Sequence, residues 1–384
     1  MLRRPVGWSL PLLALVLQTS PALGQDVKAG QDISITIHGI LSGTLFAQDA
    51  DFGLGNGQKA EFVTAERDKW VHGGDVRNMR LSLGLNGPAI SGSWRANANF
   101  EMDFFGPFAS GGAFGDEQPV PRLRLAYVDA TNGRTTVRFG QDWSLTLGNI
   151  PVSTSHIGFP LGWGSGGFIG WRFTGVKFIQ MLSAPGAATT TKLQLAVFNG
   201  SWSDEPAGTD NQFNAGERGS PQVEGRLDFG TAKWNFYAVG HVDSKDSINT
   251  AGDNLTSYDV EGGFSTTQGD LFLQGNAHYG RGMGHHFAQI VQFGDIQGWG
   301  IWGQLGYTLN PKWTVWGYYG TENPDDADVL ASGNTRLRSW LTTAMLRYKV
   351  GPYSMGLEWL HNETALPADW LSGNQVLLSA RFDF

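Results

Sequence analysis

Residues 374–384, Asn374-Gln375-Val376-Leu377-Leu378-Ser379-Ala380-Arg381-Phe382-Asp383-Phe384, alternate in character to the last position. Val376, Leu378, Ala380, Phe382 and Phe384 fall on one side of an extended chain. Gln375, Leu377, Ser379, Arg381 and Asp383 fall on the other, mostly polar side. Successive side chains of a strand point to opposite faces, so the segment reads as a β-strand with one apolar face. Chain ends usually fray in solvent, so a strand that closes on an aromatic residue implies a partner along its whole length. A sheet closed on itself supplies that partner, because its last strand pairs with its first and no edge remains. An ordinary β-protein ending at a buried edge strand is the competing reading.

The same alternation recurs along most of the chain. Its clearest instance is Trp94-Arg95-Ala96-Asn97-Ala98-Asn99-Phe100-Glu101-Met102-Asp103-Phe104, where Trp, Ala, Phe and Met share one face and Arg, Asn, Glu and Asp the other. Comparable segments are expected at 33–46, 76–86, 92–104, 122–129, 135–142, 171–182, 192–198, 222–229, 233–243, 258–266, 271–279, 298–309, 313–319, 339–349, 353–362 and 374–384. That is about sixteen strands, an even number, as bacterial single-chain barrels have. Several reach the roughly 9–11 residues that a tilted membrane-crossing strand needs.

Alternation alone does not separate a polar face in bulk water from a polar face around an enclosed lumen. The connections do. Short ones (Gly87-Pro88, 131–134, 230–232, 267–270, 310–312, Gly351-Pro352, and a slightly longer 184–191) alternate with long ones at 48–75, 105–121, 144–170, 199–221, 244–257, 280–297, 320–338 and 363–373. Tight turns on one rim and long loops on the other define an up-and-down membrane barrel. A Greek-key sandwich mixes loop lengths at both ends. The expected fold is therefore an all-β, transmembrane, antiparallel barrel over residues 33–384, with short periplasmic turns and long extracellular loops. Aromatics near strand ends fit interfacial girdles: Trp94, Phe104, Tyr127, Trp171, Trp234, Tyr279, Trp313, Tyr319, Tyr348, Tyr353, Trp359 and Phe382.

Composition agrees. Gly accounts for 54 of 384 residues and aromatics for 12%, which suits curved strands and girdles and would be costly in helices. Residues 1–24 read as an export signal: Arg3 and Arg4, an apolar core over 10–17, and Ala22-Leu23-Gly24 before Gln25. The core is too short to cross a bilayer as a helix. Residues 25–32 then form a short periplasmic segment. Without the signal the chain carries 25 basic and 35 acidic residues, a net charge of −10. That argues against nucleic acid as a partner. With no cysteine, disulfides and thiolate metal sites are excluded. No cofactor is expected.

If the polar face lines a lumen, its basic residues cluster. Arg80, Arg95, Arg122, Arg124 and Arg138 lie on four consecutive predicted strands, each flanked by apolar neighbours. Arg172, Arg226, Arg347 and Arg381 are also expected to face inward. Arginine keeps its charge when partly desolvated and grips carboxylate through two parallel hydrogen bonds, and rings of Arg favour anions. Glu101, Asp103, Asp142, Glu224, Asp228 and Asp383 share that face, so two roles stay open: guiding small anions, or pairing within the wall.

The loop at 144–170 is poor in charge and rich in glycine, running through Gly148-Asn149-Ile150-Pro151 to Gly162-Trp163-Gly164-Ser165-Gly166-Gly167. Such a segment is suited to fold inward and narrow a pore. Arg138-Phe139-Gly140-Gln141-Asp142-Trp143-Ser144, the Gly- and Pro-rich stretch after it, and Trp171-Arg172-Phe173 together resemble the central segment of the DcaP-like family of outer-membrane porins. The resemblance spans nearly the whole mature length. It implies a homotrimer of sixteen-stranded barrels passing dicarboxylates and related aromatic acids by diffusion, and a terminal Phe that serves as an assembly signal. It also implies a constriction in which arginines face the inward loop. That role carries over to Arg138, then to Arg80, Arg95, Arg122 and Arg124, with Gly140, Gln141, Trp143 and Ser144 as the turn into the loop. Some relatives carry an N-terminal coiled-coil extension; here only 25–32 precedes the first strand.

Other groupings are weaker. His285-His286 are adjacent, and neighbouring histidines rarely chelate one metal, so no metal site is assigned. Asp325, Asp326, Asp328, Asp49 and Asp51 suit a solvated acidic rim, or bridges through divalent ions to lipopolysaccharide. Ser153, Ser155 and His156 are the nearest approach to a nucleophile and base, but one loop does not set a base opposite its nucleophile without folding back. Three functions stand at this point: a diffusion porin with anion preference, a plugged or adhesive barrel, and, remotely, a lipid hydrolase.

Overall fold

The computed structural model describes residues 25–28, 32–53, 55, 57, 60–106, 119–199, 221–246 and 254–384. The export signal read at 1–24 lies outside them, as do the centres of three long loops. The strands are β1 (Gln25–Lys28), β2 (Ser34–Phe52), β3 (Val63–Asp75), β4 (Arg80–Ser91), β5 (Trp94–Gly106), β6 (Val120–Thr131), β7 (Thr135–Trp143), β8 (Arg172–Met181) and β9 (Thr190–Phe198). They continue as β10 (Gln222–Gly230), β11 (Trp234–Asp246), β12 (Asn254–Gln268), β13 (Leu271–Arg281), β14 (Gln297–Asn310), β15 (Trp313–Pro324), β16 (Arg338–Val350), β17 (Tyr353–Ala365) and β18 (Trp370–Asp383). One short helix, α1 (Asp326–Ala331), lies between β15 and β16.

Every neighbouring pair is antiparallel, and β18 returns to pair with β2 from Gln375↔Gln48 to Asp383↔Ile40. The barrel is closed and has sixteen staves. β1 is a short addition paired to the start of β2. β3 and β4 form one stave, because β2 pairs with β4 through Ile40↔Arg80 and with β3 from Thr44↔Asp75 onward.

The barrel is inside-out relative to a soluble protein. Leu45 is 66% exposed, Val260 59% and Leu357 52%, all pointing outward, while the inward pair Gln48 and Gln375 is fully buried. Trp234, Tyr279, Trp313, Tyr319, Tyr353, Trp359 and Phe382 are exposed on the outer wall, as girdles require. An apolar exterior around a hydrogen-bonded polar interior is stable in lipid, where no backbone edge is left unpaired.

Four sequence expectations are corrected. The stretch 48–75 is not all loop: β3 extends well above the outer band, with both faces exposed along most of its length, so it needs no apolar side. Gly87-Pro88 is not a turn; it sits inside β4 at a register shift between Asn86 and Ala89, where proline's missing N–H is tolerated. The turn is at 92–93, with Gly92 at φ 55°. Tyr127 does not face lipid. Register shifts between Glu101 and Met102 leave Arg124 as an extra residue in β6, which reverses the phase and places Tyr127 beneath Arg138. Trp171 also turns inward, packing on the central cluster.

Candidate channel constriction

Residues 144–171 leave the end of β7 and run inside the barrel along one wall. Arg226 of β10 donates to the carbonyls of Leu145 and Leu147, both at 3.0 Å. Asn149 donates to Phe264 O on β12 (2.7 Å). Gln274 of β13 donates to Ile150 O (3.0 Å), and Gln304 of β14 both accepts from Val152 N and donates to Val152 O. On β17, Glu358 accepts from Ser153 Oγ, Thr154 N and Oγ1, and Ser155 N at 2.6–3.0 Å. Asn78, in the break between β3 and β4, then bonds Ser155 O and Gly158 N. That break is what turns Asn78 inward.

Two acids of this wall are thereby tied to the loop. Glu358 is filled by loop donors, and Glu224 accepts from Ser144 Oγ (2.6 Å) and Leu145 N (2.5 Å). Beyond Gly158 the loop turns back across the mouth as an aromatic cluster: Phe159, Trp163 and Phe168, with Phe105, Trp302 and Tyr318 from the strands. Gly162, Gly164 and Gly167 have φ of 79°, 74° and 76°, and a side chain on Gly167 would strike the backbone of Ile301. Those turns require glycine.

The opposite wall, β4 to β8, carries the basic residues. Arg122 holds Asp103 through two parallel bonds, Nε to Oδ1 at 3.0 Å and Nη2 to Oδ2 at 2.7 Å. Arg124 bridges Glu101 (2.6 Å) and Asp103 (2.7 Å) and is 3% exposed. Arg80 lies 3.7 Å from Glu101. Arg138 grips Asp129 with two bonds of 2.8 Å, reaches Asp142 at 2.9 Å, and lies 3.5 Å over the ring of Tyr127. Lys177 completes that set on Asp142 at 2.6 Å.

Arg95 is not brought to this cluster. It sits exposed at the turn end of β5, opposite Ala89 and Thr131, in no ion pair among the described residues. The motif residues are architectural. Gly140, at φ 130°, leaves no room for a side chain against Ala126 O, and Gln141 donates to Arg124 O (2.9 Å), the carbonyl at the register shift. Ser144 anchors the loop on Glu224, and the ring of Trp143 lies beneath Arg124 (5.3 Å) and Arg172 (4.9 Å).

Arg172, expected from the sequence to face inward, follows Trp171 at the loop's end and does so. It is 3% exposed and sandwiched by Trp171 (4.3 Å) and Trp143. Its Nε and Nη1 are buried with no hydrogen-bond partner among the described residues. The charges acting on it are those of Arg124, Arg122, Asp103 and Glu101. Four guanidinium groups (Arg80, Arg122, Arg124 and Arg172) thus share two carboxylates. Aromatic faces offset part of a desolvated cation's cost, on the order of 2 kcal/mol, but do not neutralise it.

Ser153 Oγ donates to Glu358 and Ser155 Oγ pairs with Ser379 Oγ (2.7 Å), so neither hydroxyl is presented to His156 as a nucleophile to a base. The acidic loop residues have local tasks: Asp325 caps α1, Asp328 accepts from Gln297 N, Asp49 holds Asn374, and Asp51 pairs with Arg67.

A closed sixteen-stave barrel with a long third loop folded against its inner wall is the fold of an outer-membrane porin. Among solved structures the chain is similar to the outer-membrane channel DcaP of Acinetobacter baumannii, with a TM-score of 0.72 and 19% identity over 94% of this chain and 99% of that one. It is also similar to the anion-selective porin of Comamonas acidovorans (TM-score 0.60, 12% identity, 92% and 100% covered) and to Salmonella typhi OmpF (0.60, 11%, 94% and 100%). No family model and no curated protein sequence matches the chain. The likeness establishes the fold.

Proposed function

We propose that the protein is a passive diffusion channel of the outer membrane for small hydrophilic solutes, with a preference for anions such as dicarboxylates. Loop 144–170 serves as its constriction, set against the basic wall of β4 to β8. The observation that carries this reading is the charge imbalance around Arg172: four guanidinium groups on two carboxylates, with two nitrogens of Arg172 unmatched. A permeating carboxylate supplies the missing acceptors, and in a partly desolvated site that attraction is stronger than in bulk water.

Across the lumen Glu224 and Glu358 are held by loop donors, and Asp259 and Glu322 face His278. Arg347, Lys349 and Arg381, beside Asp383, continue a basic lining beneath the loop near Ser153 and Thr154. The names of two similar structures, a channel and an anion-selective porin, agree with the reading. The barrel is set in outer-membrane lipid and lipopolysaccharide, and the assembly is a homotrimer joined through its outer wall.

Current block by succinate tests the proposal. Added to protein in planar bilayers, succinate should interrupt chloride current in a concentration-dependent way, and Arg172→Gln should weaken the block severalfold. Resolvable channels indifferent to succinate would remove the dicarboxylate preference. No conductance steps at all would favour a barrel plugged by its aromatic cluster.

A further inference from the structure

A second segment turns into the barrel. Loop 282–296, between β13 and β14, buries Met283, Ala288, Ile290 and Ile296 completely. Its Phe287 stacks on Trp163 at 4.5 Å and lies 5.0 Å from Trp171, beside Arg172. The backbone there is strained: Phe287, Gln289, Ile290 and Val291 have φ of 65°, 50°, 56° and 54°. Left-handed conformations are unfavourable for such residues, most of all β-branched ones, and persist only when the surroundings impose them.

On one side the loop is tied to Glu322, which accepts from Gln289 N (2.8 Å), and to Arg336, which donates to Ile290 O (3.0 Å). On the other side it presents His286. The two adjacent histidines diverge: His285 packs on Phe293, while His286 meets His241 of β11 edge-on, ring centroids 4.7 Å apart. Glu224 of β10 completes the group. One ligand atom from each of Glu224, His241 and His286 lies within 4.8 Å of the others, and all three residues are buried.

Two imidazoles and a carboxylate suit borderline divalent ions, zinc above all, and do not suit calcium or magnesium, which prefer all-oxygen cages. The surroundings are those of a ligand set. Asp243 lies 3.8 Å behind Nε2 of His241, while Nδ1 faces Glu224 at 3.0 Å. A carboxylate behind a ligating imidazole fixes its tautomer and aim. With the proton on Nε2, toward Asp243, the Nδ1 lone pair is available to a metal. Ser144 Oγ orients Glu224, and Thr146 Oγ1 stands 3.2 Å from His286 Nδ1. Zinc–ligand bonds of about 2.0–2.2 Å require these ligand atoms to draw together around the ion.

We propose that Glu224, His241 and His286 bind one zinc-class divalent ion, which fastens loop 282–296 to β10 and β11 and keeps Phe287 seated over the constriction. The site joins the β10–β11 hairpin, where Glu224 and His241 are cross-strand partners, to loop 282–296, and one of its neighbours, Ser144, is the root of loop 144–170. Metal binding stands independently of the channel reading; its effect on current rests on that reading.

The test is calorimetry and thermal melting of full-length protein in detergent, stripped with chelator and titrated with zinc chloride. One zinc per chain is expected, with a raised melting midpoint; calcium and magnesium chloride should do neither. His286→Ala lies in a loop and leaves the barrel staves intact. It should weaken zinc binding by at least the roughly 10–100-fold lost with an outer partner, whereas His285→Ala should bind as the parent does. His241→Ala should match His286→Ala, and if it fails to fold the loop variant decides alone. Absence of zinc binding, or binding unchanged in His286→Ala, overturns the proposal. In bilayers, zinc should quieten current fluctuations of the parent and not of His286→Ala. Unaltered currents with calorimetric binding intact would overturn the seating of Phe287 while leaving the metal site.

Discussion

Gly39 and Phe384 close the barrel as a matched pair. Gly39 N donates to Phe384 O at 2.8 Å, Phe384 N donates to Gly39 O at 3.0 Å, and the terminal ring fills the space where a side chain on Gly39 would stand. The last residue of the chain is thus bonded into the first full stave through both its backbone and its ring.

Gly39→Leu should therefore impair closure. The added side chain meets the ring of Phe384 and the carbonyl of Arg80, and overpacking of this kind costs about 1–3 kcal/mol. The folded fraction, read from the mobility of unheated protein in detergent gels, should fall. Gly43→Ala, on the same strand with nothing within 4 Å of the new atom, should be silent.

Glu358→Ala should loosen the third loop. Its carboxylate receives donors from three consecutive loop residues, and each buried donor left unsatisfied costs about 1–3 kcal/mol. Single-channel conductance should rise and become noisier, while the barrel still resists denaturation by detergent. Conductance identical to the parent would mean that the loop does not set the narrowest point.

Arg138 and Arg172 should separate structure from selectivity. Arg138 is bound to two carboxylates and stacked on Tyr127. Arg138→Ala leaves Asp129 without its bidentate partner and should lower stability by about 3–5 kcal/mol, with a smaller change in ion preference. Arg172→Met removes a cation with two unmatched nitrogens. It should leave the melting temperature unchanged or raised, yet lower anion preference severalfold. The check is a melting curve and a bilayer recording on each variant; equal effects on both readouts would join the two roles.

The staves were legible because lipid on one side and polar groups on the other impose a period of two, which Trp94–Phe104 and Asn374–Phe384 keep without interruption. Loop lengths told the two rims apart for the same reason: one rim needs only turns. Legibility ended where that constraint ended. β3 rises above the outer band, so Val63–Asp75 carries no apolar face to recognise. Tyr127 was placed on the wrong side because the extra residue at Arg124 shifts register, and no composition signal marks a bulge.

The basic cluster was visible as residue types on adjacent strands, but its internal division was not. Whether an arginine is paired depends on which acid the register sets opposite. Asp103 stands opposite both Arg80 and Arg122, and Asp129 stands opposite Arg138, while Arg172 faces tryptophans. Alternation put Arg172 on the inward face, and Trp171-Arg172-Phe173 set it between two aromatic residues at the end of an inward loop, but neither showed it unpaired. Glu224 and His241 face each other across the β10–β11 pair, but gave no hint of meeting His286, since loop 282–296 reaches them only by folding inward.

The most direct measurement is the zero-current potential of the parent protein in a planar bilayer with potassium chloride about tenfold more concentrated on one side. An arginine wall with uncompensated charge predicts a potential displaced toward the equilibrium value of chloride, and a smaller displacement for Arg172→Met. A potential displaced toward that of potassium would contradict the account, whatever the conductance.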